Sequence, residues 1–270
     1  MMISLHNSSK YYWKNGEFLP LDTTFDLYKS ESPVYEVVRY NGELFFFDDH
    51  ISRLKISLAG LGAKPKTIHL PSTDEMRELF VKNNFPEGNV RIDVFPKAGT
   101  TVAYLTTFFY PPEELYRDGV KVIFQYDERK NQQIKQFQEE IKIKTAELLI
   151  KTGAFETLLV NKHGQITEGS KSNVFFIKEG KIYTAPDLMI LAGVTRKKVI
   201  RIIENMGLTI IYQAIVHHEI TDYEAVFLTG TSIGVLPVKA IENNNYDPKN
   251  RVVREIMKYF NQKMIQERFI

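Results

Sequence analysis

The sequence predicts an α/β protein of the α+β kind folded as two domains, and three observations carry that prediction. Strand-length apolar runs fill much of residues 11–106, punctuated by Asn15-Gly16 and Asn41-Gly42, the strongest short-range hairpin signal. Two amphipathic helical patterns interrupt those strands. Consecutive prolines at Pro111-Pro112 then stop both helix and sheet, and beyond them short apolar runs alternate with longer helical patterns. A boundary after Glu113 gives a small domain over 1–113 and a larger one over 114–270, sizes that each permit a core.

In the first domain, 11–13 and 17–19 flank the first Asn-Gly pair as a hairpin. The spelling recurs at once: 34–40, the second Asn-Gly pair and 43–47 predict another hairpin, with Tyr35, Val37 and Arg39 on one face and Glu36 and Val38 on the other. Asp48-Asp49 opens a helix with acidic residues in its first turn. Ile51, Leu54, Leu58 and Leu61 follow at helical spacing, and Arg53 lies near the edge of that stripe. Ser72 and Glu75 have capping-box spacing ahead of Met76, Leu79 and Phe80. Strands over 90–95 and 101–106 complete an antiparallel sheet with two helices on one face.

The second domain reads as a strand over 120–124, a helix over 136–152 and strands over 155–161 and 173–178. A helix over 195–206, strands over 208–212, 225–228 and 236–241, and a closing helix over 251–266 follow. Between the apolar runs 157–160 and 174–177 lies Thr167-Glu168-Gly169-Ser170-Lys171-Ser172-Asn173, which predicts a tight polar turn carrying one carboxylate. Taken alone it is a hairpin connection; loops on a rigid sheet are also where ligand sites are built.

Composition narrows the function classes. Hydrophobic residues are 43% and charged residues 25%, with a formal charge of +2, so there is no basic stripe for nucleic acid. No apolar run is long enough to span a bilayer, and Met1 to His6 carry no signal-peptide core, so a cytoplasmic protein is expected and the Asn7-Ser8-Ser9 sequon has no consequence. With no cysteine, disulfides, thiolate metal sites and a cysteine nucleophile are excluded.

Several motifs are set aside on physical grounds. Gly230-Thr231-Ser232-Ile233-Gly234 spells a nucleophile elbow, but that fold needs a helix straight after the serine and a histidine further on. Leu236-Pro237 interrupts, and no histidine follows His218. The run from Gly164 to Lys171 nearly spells a P-loop, yet its lysine is one place late and Glu168 would repel a phosphate. Gly60-Leu61-Gly62 reads as a helix C-cap. Adjacent His217 and His218 cannot both point one way from a regular element, so no metal is expected.

What survives is a constellation for a phosphorylated ligand. Ala192-Gly193-Val194-Thr195-Arg196 feeds a helix N-terminus, presenting free backbone N–H groups and a positive dipole end. Thr229-Gly230-Thr231-Ser232 offers hydroxyls and unobstructed amides after a strand. Arg53 can add a bidentate guanidinium to the same anion, and a lysine is then sought to hold the cofactor covalently.

On these residues the chain resembles the class IV, fold type IV pyridoxal-phosphate enzymes, which include branched-chain aminotransferases, D-amino-acid aminotransferases and aminodeoxychorismate lyases. The matching stretches are 34–53, 119–135, 167–173, 193–196 and 227–238, in order and covering most of the chain. The resemblance implies a small antiparallel-sheet domain beside a larger pseudo-barrel α/β domain, pyridoxal 5'-phosphate as cofactor, and a homodimer. It places Glu168 at the pyridine nitrogen, where a carboxylate favours the protonated ring. Arg53, the Val194 and Thr195 amides and Thr231 are placed at the phosphate. Tyr35 would border the substrate and Ser232 would offer its backbone to a substrate carboxylate, with Arg39 and Arg91 as further carboxylate partners.

Lys135, Lys142 and Lys144 all precede the glutamate. Lys135 leaves the whole helix after it and stands 33 residues before Glu168, a spacing that suits the family, so it is assigned as the catalytic lysine that shuttles the α-proton. Gln136 and Gln138 stand where the family usually has a small hydroxyl residue and an asparagine, and Glu139-Glu140 where branched-chain enzymes carry a tyrosine. The arginine–histidine loop of the D-amino-acid enzymes has no room at 96–100. The expected function is exchange of an amino group between an amino acid, branched-chain type first, and a 2-oxo acid. A pyruvate-releasing lyase is the alternative, and an inactive binding protein the third reading.

Overall fold

The computed structural model describes residues 9–21, 31–64 and 67–266; the readings placed on Met1 to His6 and on the sequon at Asn7-Ser8 fall outside them. The protein is a mixed α/β chain with two sheets, in two compact units. One unit runs up to Phe109 and takes in Ile134–Phe137; the other comprises Tyr110–Gln133 and Gln138–Ile265.

In the first unit β1 (Tyr11–Lys14), β2 (Glu17–Pro20), β3 (Val34–Asn41), β4 (Glu87–Phe95) and β5 (Thr100–Thr106) form an antiparallel sheet in the order β2-β1-β5-β4-β3. The β1–β2 turn puts Asn15 at φ 46° and Gly16 at φ 99°, the left-handed backbone that Asn-Gly supplies at least cost. Register pairs Tyr35 with Asp93 and Val37 with Arg91, so these four share a face. The opposite face buries Val34, Val38, Val90, Ile92 and Leu105 against α1 (Phe47–Gly60) and α2 (Thr73–Asn83), through Leu54, Leu58, Met76 and Leu79. The predicted capping box forms: Ser72 and Glu75 each accept from the other's backbone N–H.

Two expectations are corrected here. Residues 43–47 are not a second strand of a hairpin, since only Tyr40 and Leu44 form an isolated bridge and Phe47 already begins α1. Leu44 to Phe47 are all buried rather than alternately so, and Phe46 turns the chain with a left-handed φ of 55°. The helix predicted from Gln136 starts instead at Glu139. The reason is an open sheet edge: β3 is an edge strand whose free backbone groups seek partners, and Tyr35 N–H donates to Lys135 O at 2.9 Å while Phe137 N–H donates to Pro33 O at 3.0 Å.

The second unit opens with a short helix, α3 (Glu113–Asp118), for which Pro112 is the N-cap; β5 has already ended at Thr106. Its strands are β6 (Val120–Gln125), β7 (Glu156–Val160), β8 (Gln165–Gly169), β9 (Asn173–Lys178), β10 (Lys181–Thr184), β11 (Ile210–Tyr212), β12 (Ile215–Val216), β13 (Ala225–Gly230), β14 (Gly234–Ile241) and β15 (Asn244–Asn245). They make one mixed sheet, ordered β11-β10-β9-β13-β14-β6-β7-β8-β12 with β15 beside β14. Its core gathers Val122, Leu158, Val174, Phe176, Leu228, Leu236 and Val238. Three further helices follow: α4 (Glu139–Thr152), α5 (Val194–Asn205) and α6 (Arg251–Gln266). Glu168 lies on strand β8, not in the turn; the turn is confined to Ser170, Lys171 and Ser172.

Candidate active site

The candidate residues fall into two groups, one in each unit. In the first unit Lys135 is pinned by its backbone: its carbonyl accepts from Tyr35, its N–H donates to Ser57 Oγ at 3.2 Å, and Ile134 beside it packs into the core. The side chain is left to project, with Nζ 5.0 Å from the Tyr35 ring centroid. The Arg91 guanidinium lies 4.3 Å from the same centroid and 5.5 Å from that of Phe137. Tyr35, Arg91 and Lys135 are thus brought together; Arg39, further along β3, sits 5.9 Å over Phe45.

Arg53 is on the buried face of α1 rather than near its edge, 7% exposed. Its Nε and Nη2 donate to Glu36 Oε1 and Oε2, both at 2.7 Å, and His50 Nδ1 lies 2.8 Å from Oε2. Burial alone would raise the Glu36 carboxyl, but the Arg53 charge and the bonds from Arg53 and His50 outweigh it and hold that carboxyl well below the usual range. His50 is pushed down by its own burial, which the bond and charge of Glu36 oppose, and the Arg53 and Lys135 charges push it further down. A neutral His50 therefore donates Nδ1–H to an ionised Glu36, and the pair fixes Arg53. Sequence reasoning missed Glu36 and His50 as a brace, although the signal was there: His50 and Arg53 are one helical turn apart, and Glu36 sits on the face of β3 that meets the helices.

In the second unit Glu168 is 3% exposed. Leu191 N–H donates to its two oxygens at 3.2 and 3.3 Å, Asn173 Nδ2 approaches Oε2 at 3.4 Å, and Arg129 Nε stands 3.1 Å from Oε1. Asn173 Nδ2 also donates to Leu191 O at 3.0 Å, so one side chain ties Glu168 to the loop that feeds α5. That loop ends in Gly193, the N-cap of α5, which has no side-chain cap; the first amides, Val194 and Thr195 among them, keep their donors. A Cβ at Gly193 would collide with Asn173 Oδ1. Buried Arg196 anchors the loop from within α5, donating to Asp187 Oδ1 at 2.5 Å and Ala185 O at 2.9 Å. Thr231 and Ser232 follow Thr229, the register partner of Asn173. The turn after Glu168 is clamped by buried Glu156, which accepts from Ser170 Oγ at 2.5 Å, Ser172 Oγ at 3.1 Å and Lys171 N–H at 3.3 Å. Leu191, Glu156 and Arg129 were not foreseen, since nothing local marks them, and Asn173, at the end of the predicted polar turn, was given no role.

Residues 33–241 match the family described as amino-transferase class IV. The chain belongs to that family. Among relatives of this class IV aminotransferase, D-alanine aminotransferase of Bacillus licheniformis is 33% identical over 230 residues, covering 80% of this chain and 81% of that one. A Thermotoga maritima protein named "Probable branched-chain-amino-acid aminotransferase" is 27% identical, over 87% of this chain and 88% of that one. The fold matches a T.th. branched-chain amino acid aminotransferase solved with pyridoxamine 5'-phosphate, with a TM-score of 0.80 at 23% identity over 94% of this chain and 93% of that one. Class IV aminotransferases use pyridoxal phosphate, and the groups found here fit it: an uncapped helix N-terminus with a glycine where a Cβ would collide, and a buried carboxyl held from three sides.

Proposed function

We propose that this aminotransferase works through Lys135, with Arg53, Glu168, Val194, Thr195 and Thr231 holding the cofactor and with Tyr35, Arg39, Arg91 and Ser232 bordering the substrate. The observation that carries the reading is Lys135 itself, its backbone fixed at the edge of β3 and its Nζ over Tyr35. Lys142 and Lys144 are surface residues of α4, and Lys144 is committed to Asp127 at 2.9 Å.

When bound, pyridoxal phosphate supplies the electron sink that stabilises negative charge at the substrate α-carbon. The chain's own residues do the rest. Lys135 Nζ would take the proton from the substrate α-carbon and pass it to the cofactor carbon that receives the amino group. Glu168 holds a proton at the pyridine nitrogen. The Val194 and Thr195 amides and the Thr231 hydroxyl bind the phosphate, with the helix dipole of α5 behind them, and Arg53 adds a charge that Glu36 and His50 orient.

Branched-chain amino acids with their 2-oxo acids are the first donor class. D-alanine is the second, favoured by the 33% identity to a D-alanine aminotransferase; the short 96–100 hairpin lacks an arginine–histidine loop, but Arg91 already supplies a guanidinium. A cytoplasmic homodimer completes the reading. No helix among the described residues is long and apolar enough to cross a membrane.

A donor panel read by absorbance tests this. L-Leucine, L-valine or D-alanine, added without an acceptor, is expected to convert the bound cofactor to its aminated form, and a 2-oxo acid to restore it. Purified protein that takes up no pyridoxal phosphate would sink the proposal.

A further inference from the structure

Helix α4 is held to its unit sparingly. Of its 14 residues only Thr145 is buried, and the Thr145 hydroxyl lies 2.7 Å from Gln125 Oε1 and 2.8 Å from Ile141 O. A side chain this small leaves space between the helix and the turn beside it. A cavity of about 270 Å³ opens there, between α4 and the Ser170-Lys171 turn, wholly within unit two. Ile141, Ala146 and Leu149 give it an apolar wall, while Arg129, Lys142 and Lys171 bring three cations. No acidic side chain lines it among the described residues; Glu139, Glu140 and Glu147 of α4 are exposed and lie outside the lining. None of the residues assigned above to the cofactor or the substrate lines it either.

Arg129 has a side chain nine-tenths buried. Its Nη2 donates to Ser170 O at 2.6 Å, and its Nε stands 3.1 Å from Glu168 Oε1 without the alignment of a hydrogen bond. Neither contact uses Nη1, and a guanidinium keeps its charge and its full set of donors wherever it is placed. Lys171 is carried by a turn whose backbone Glu156 holds. Because Glu168 already offsets Arg129, the two lysines leave the cavity net positive. Its volume falls just under the usual ~300–1,000 Å³ of small-molecule sites, so its occupant is small.

We infer that this cavity is a second binding site, for a small organic monocarboxylate of about four to six carbons, with its head group at the cations and its chain on Ile141, Ala146 and Leu149. The inference stands on unit two alone and on none of the catalytic assignments above. A neutral molecule of the same length gains the apolar wall but not the charges, and a cationic one is repelled by them.

The test is methyl NMR on the holoenzyme, with pentanoate as the probe and pentanamide and pentylamine as its neutral and cationic counterparts. Pentanoate is expected to shift the methyl signals of Ile141, Ala146 and Leu149 along one saturable curve, with a dissociation constant on the order of 1 mM. The amide and the amine bind at least about tenfold more weakly. Lys142→Gln combined with Lys171→Gln, both at exposed positions, weakens pentanoate by roughly tenfold, the joint worth of two surface charges. Ala146→Trp, also exposed on α4, fills the cavity and abolishes the saturable shift at Ile141 and Leu149. Either variant decides the matter if the other does not fold. Pentanamide that binds as well as pentanoate overturns the assignment, as does a lysine-pair or Ala146→Trp variant that binds like wild type. Methyl signals that stay unmoved in wild type up to about tenfold the expected constant overturn it too.

Discussion

Arg53 and Glu168 are both charged side chains buried to within 7% and 3% of full burial, yet what holds each is different. Arg53 is gripped by one side chain, the Glu36 carboxylate from β3, through two bonds of 2.7 Å, and His50 from its own helix braces that carboxylate at 2.8 Å. Glu168 is gripped mostly by the chain around it: a backbone N–H from Leu191, an amide from Asn173, and Arg129 at 3.1 Å. The first arrangement depends on the Glu36 carboxylate staying ionised, the second on a loop keeping its path. The two groups should therefore fail in different ways. Unit one is sensitive to charge and pH, and unit two to shape.

The largest effect is expected at the proposed catalytic lysine rather than at either brace. Lys135→Ala is expected to lower turnover by at least about a thousandfold, the scale of losing a positioned proton carrier. Thermal stability should change little, because the side chain projects from a backbone fixed by other groups. Borohydride reduction of the wild-type holoenzyme followed by peptide mapping should label Lys135; a label on Lys142 or Lys144 moves the chemistry to α4 and breaks the assignment.

Next comes the charge brace. Glu36→Gln leaves Arg53 buried against a neutral amide, and breaking a buried pair in this way costs about 3–5 kcal/mol, enough to lower the melting temperature by many degrees. The comparison sharpens if Glu156→Gln, which removes the carboxylate from the clamp in unit two, costs less. Its partners are two hydroxyls and two backbone N–H groups, which an amide oxygen can still satisfy in part. Chemical denaturation of both variants decides the order.

Much of this was legible in the sequence, and the reasons are local. The Asn-Gly turn at Asn15-Gly16, the Ser72–Glu75 capping box and the glycine-fed start of α5 are signals carried by neighbouring residues, and each formed where expected. The alternation along β3 correctly separated Tyr35 from Glu36. What stayed hidden depends on long-range pairing. The stretch 134–137 looks helical until the free edge of β3 claims it. The polar run at Glu168 looks like a turn until β12 pairs with Ile166 and Gln165, and β7 with Gly169, to draw the residues into a strand. Asn173, the residue that ties Glu168 to the α5 loop, is separated from Leu191 by 18 positions, a distance at which periodicity carries no information.

Shape is the lever in unit two. Gly193→Ala drives a methyl group into Asn173 Oδ1, so the loop must shift away from Glu168 or Asn173 must let go of it. Cofactor affinity is expected to fall by roughly tenfold or more, read as the dissociation constant for pyridoxal phosphate. Gly180→Ala is the comparison, since open space surrounds that position and its φ of 69° costs only backbone strain, about 1–2 kcal/mol of stability. If the two variants weaken the cofactor equally, the α5 loop is not the phosphate receptor.

The smallest effect is the one pH exerts on unit one. Both groups of the brace have folded-state values below their ordinary ones: His50 because burial disfavours its charge, Glu36 because Arg53 and His50 overcome the burial that would raise it. The sign is the same for both, because the unfolded chain binds each proton more readily than the folded one. Stability from His50 is intact above its ordinary value of 6.5 and declines as pH falls below it; that from Glu36 declines below 4.5. Unfolding free energy measured from pH 8 downward should thus begin to drop near 6.5 and drop faster below 4.5. His50→Gln, whose amide can still donate to Glu36, should remove the first decline and leave the second. A profile flat from about pH 8 to about pH 5 in wild type, or unchanged in the variant, means that His50 is not held neutral by its burial.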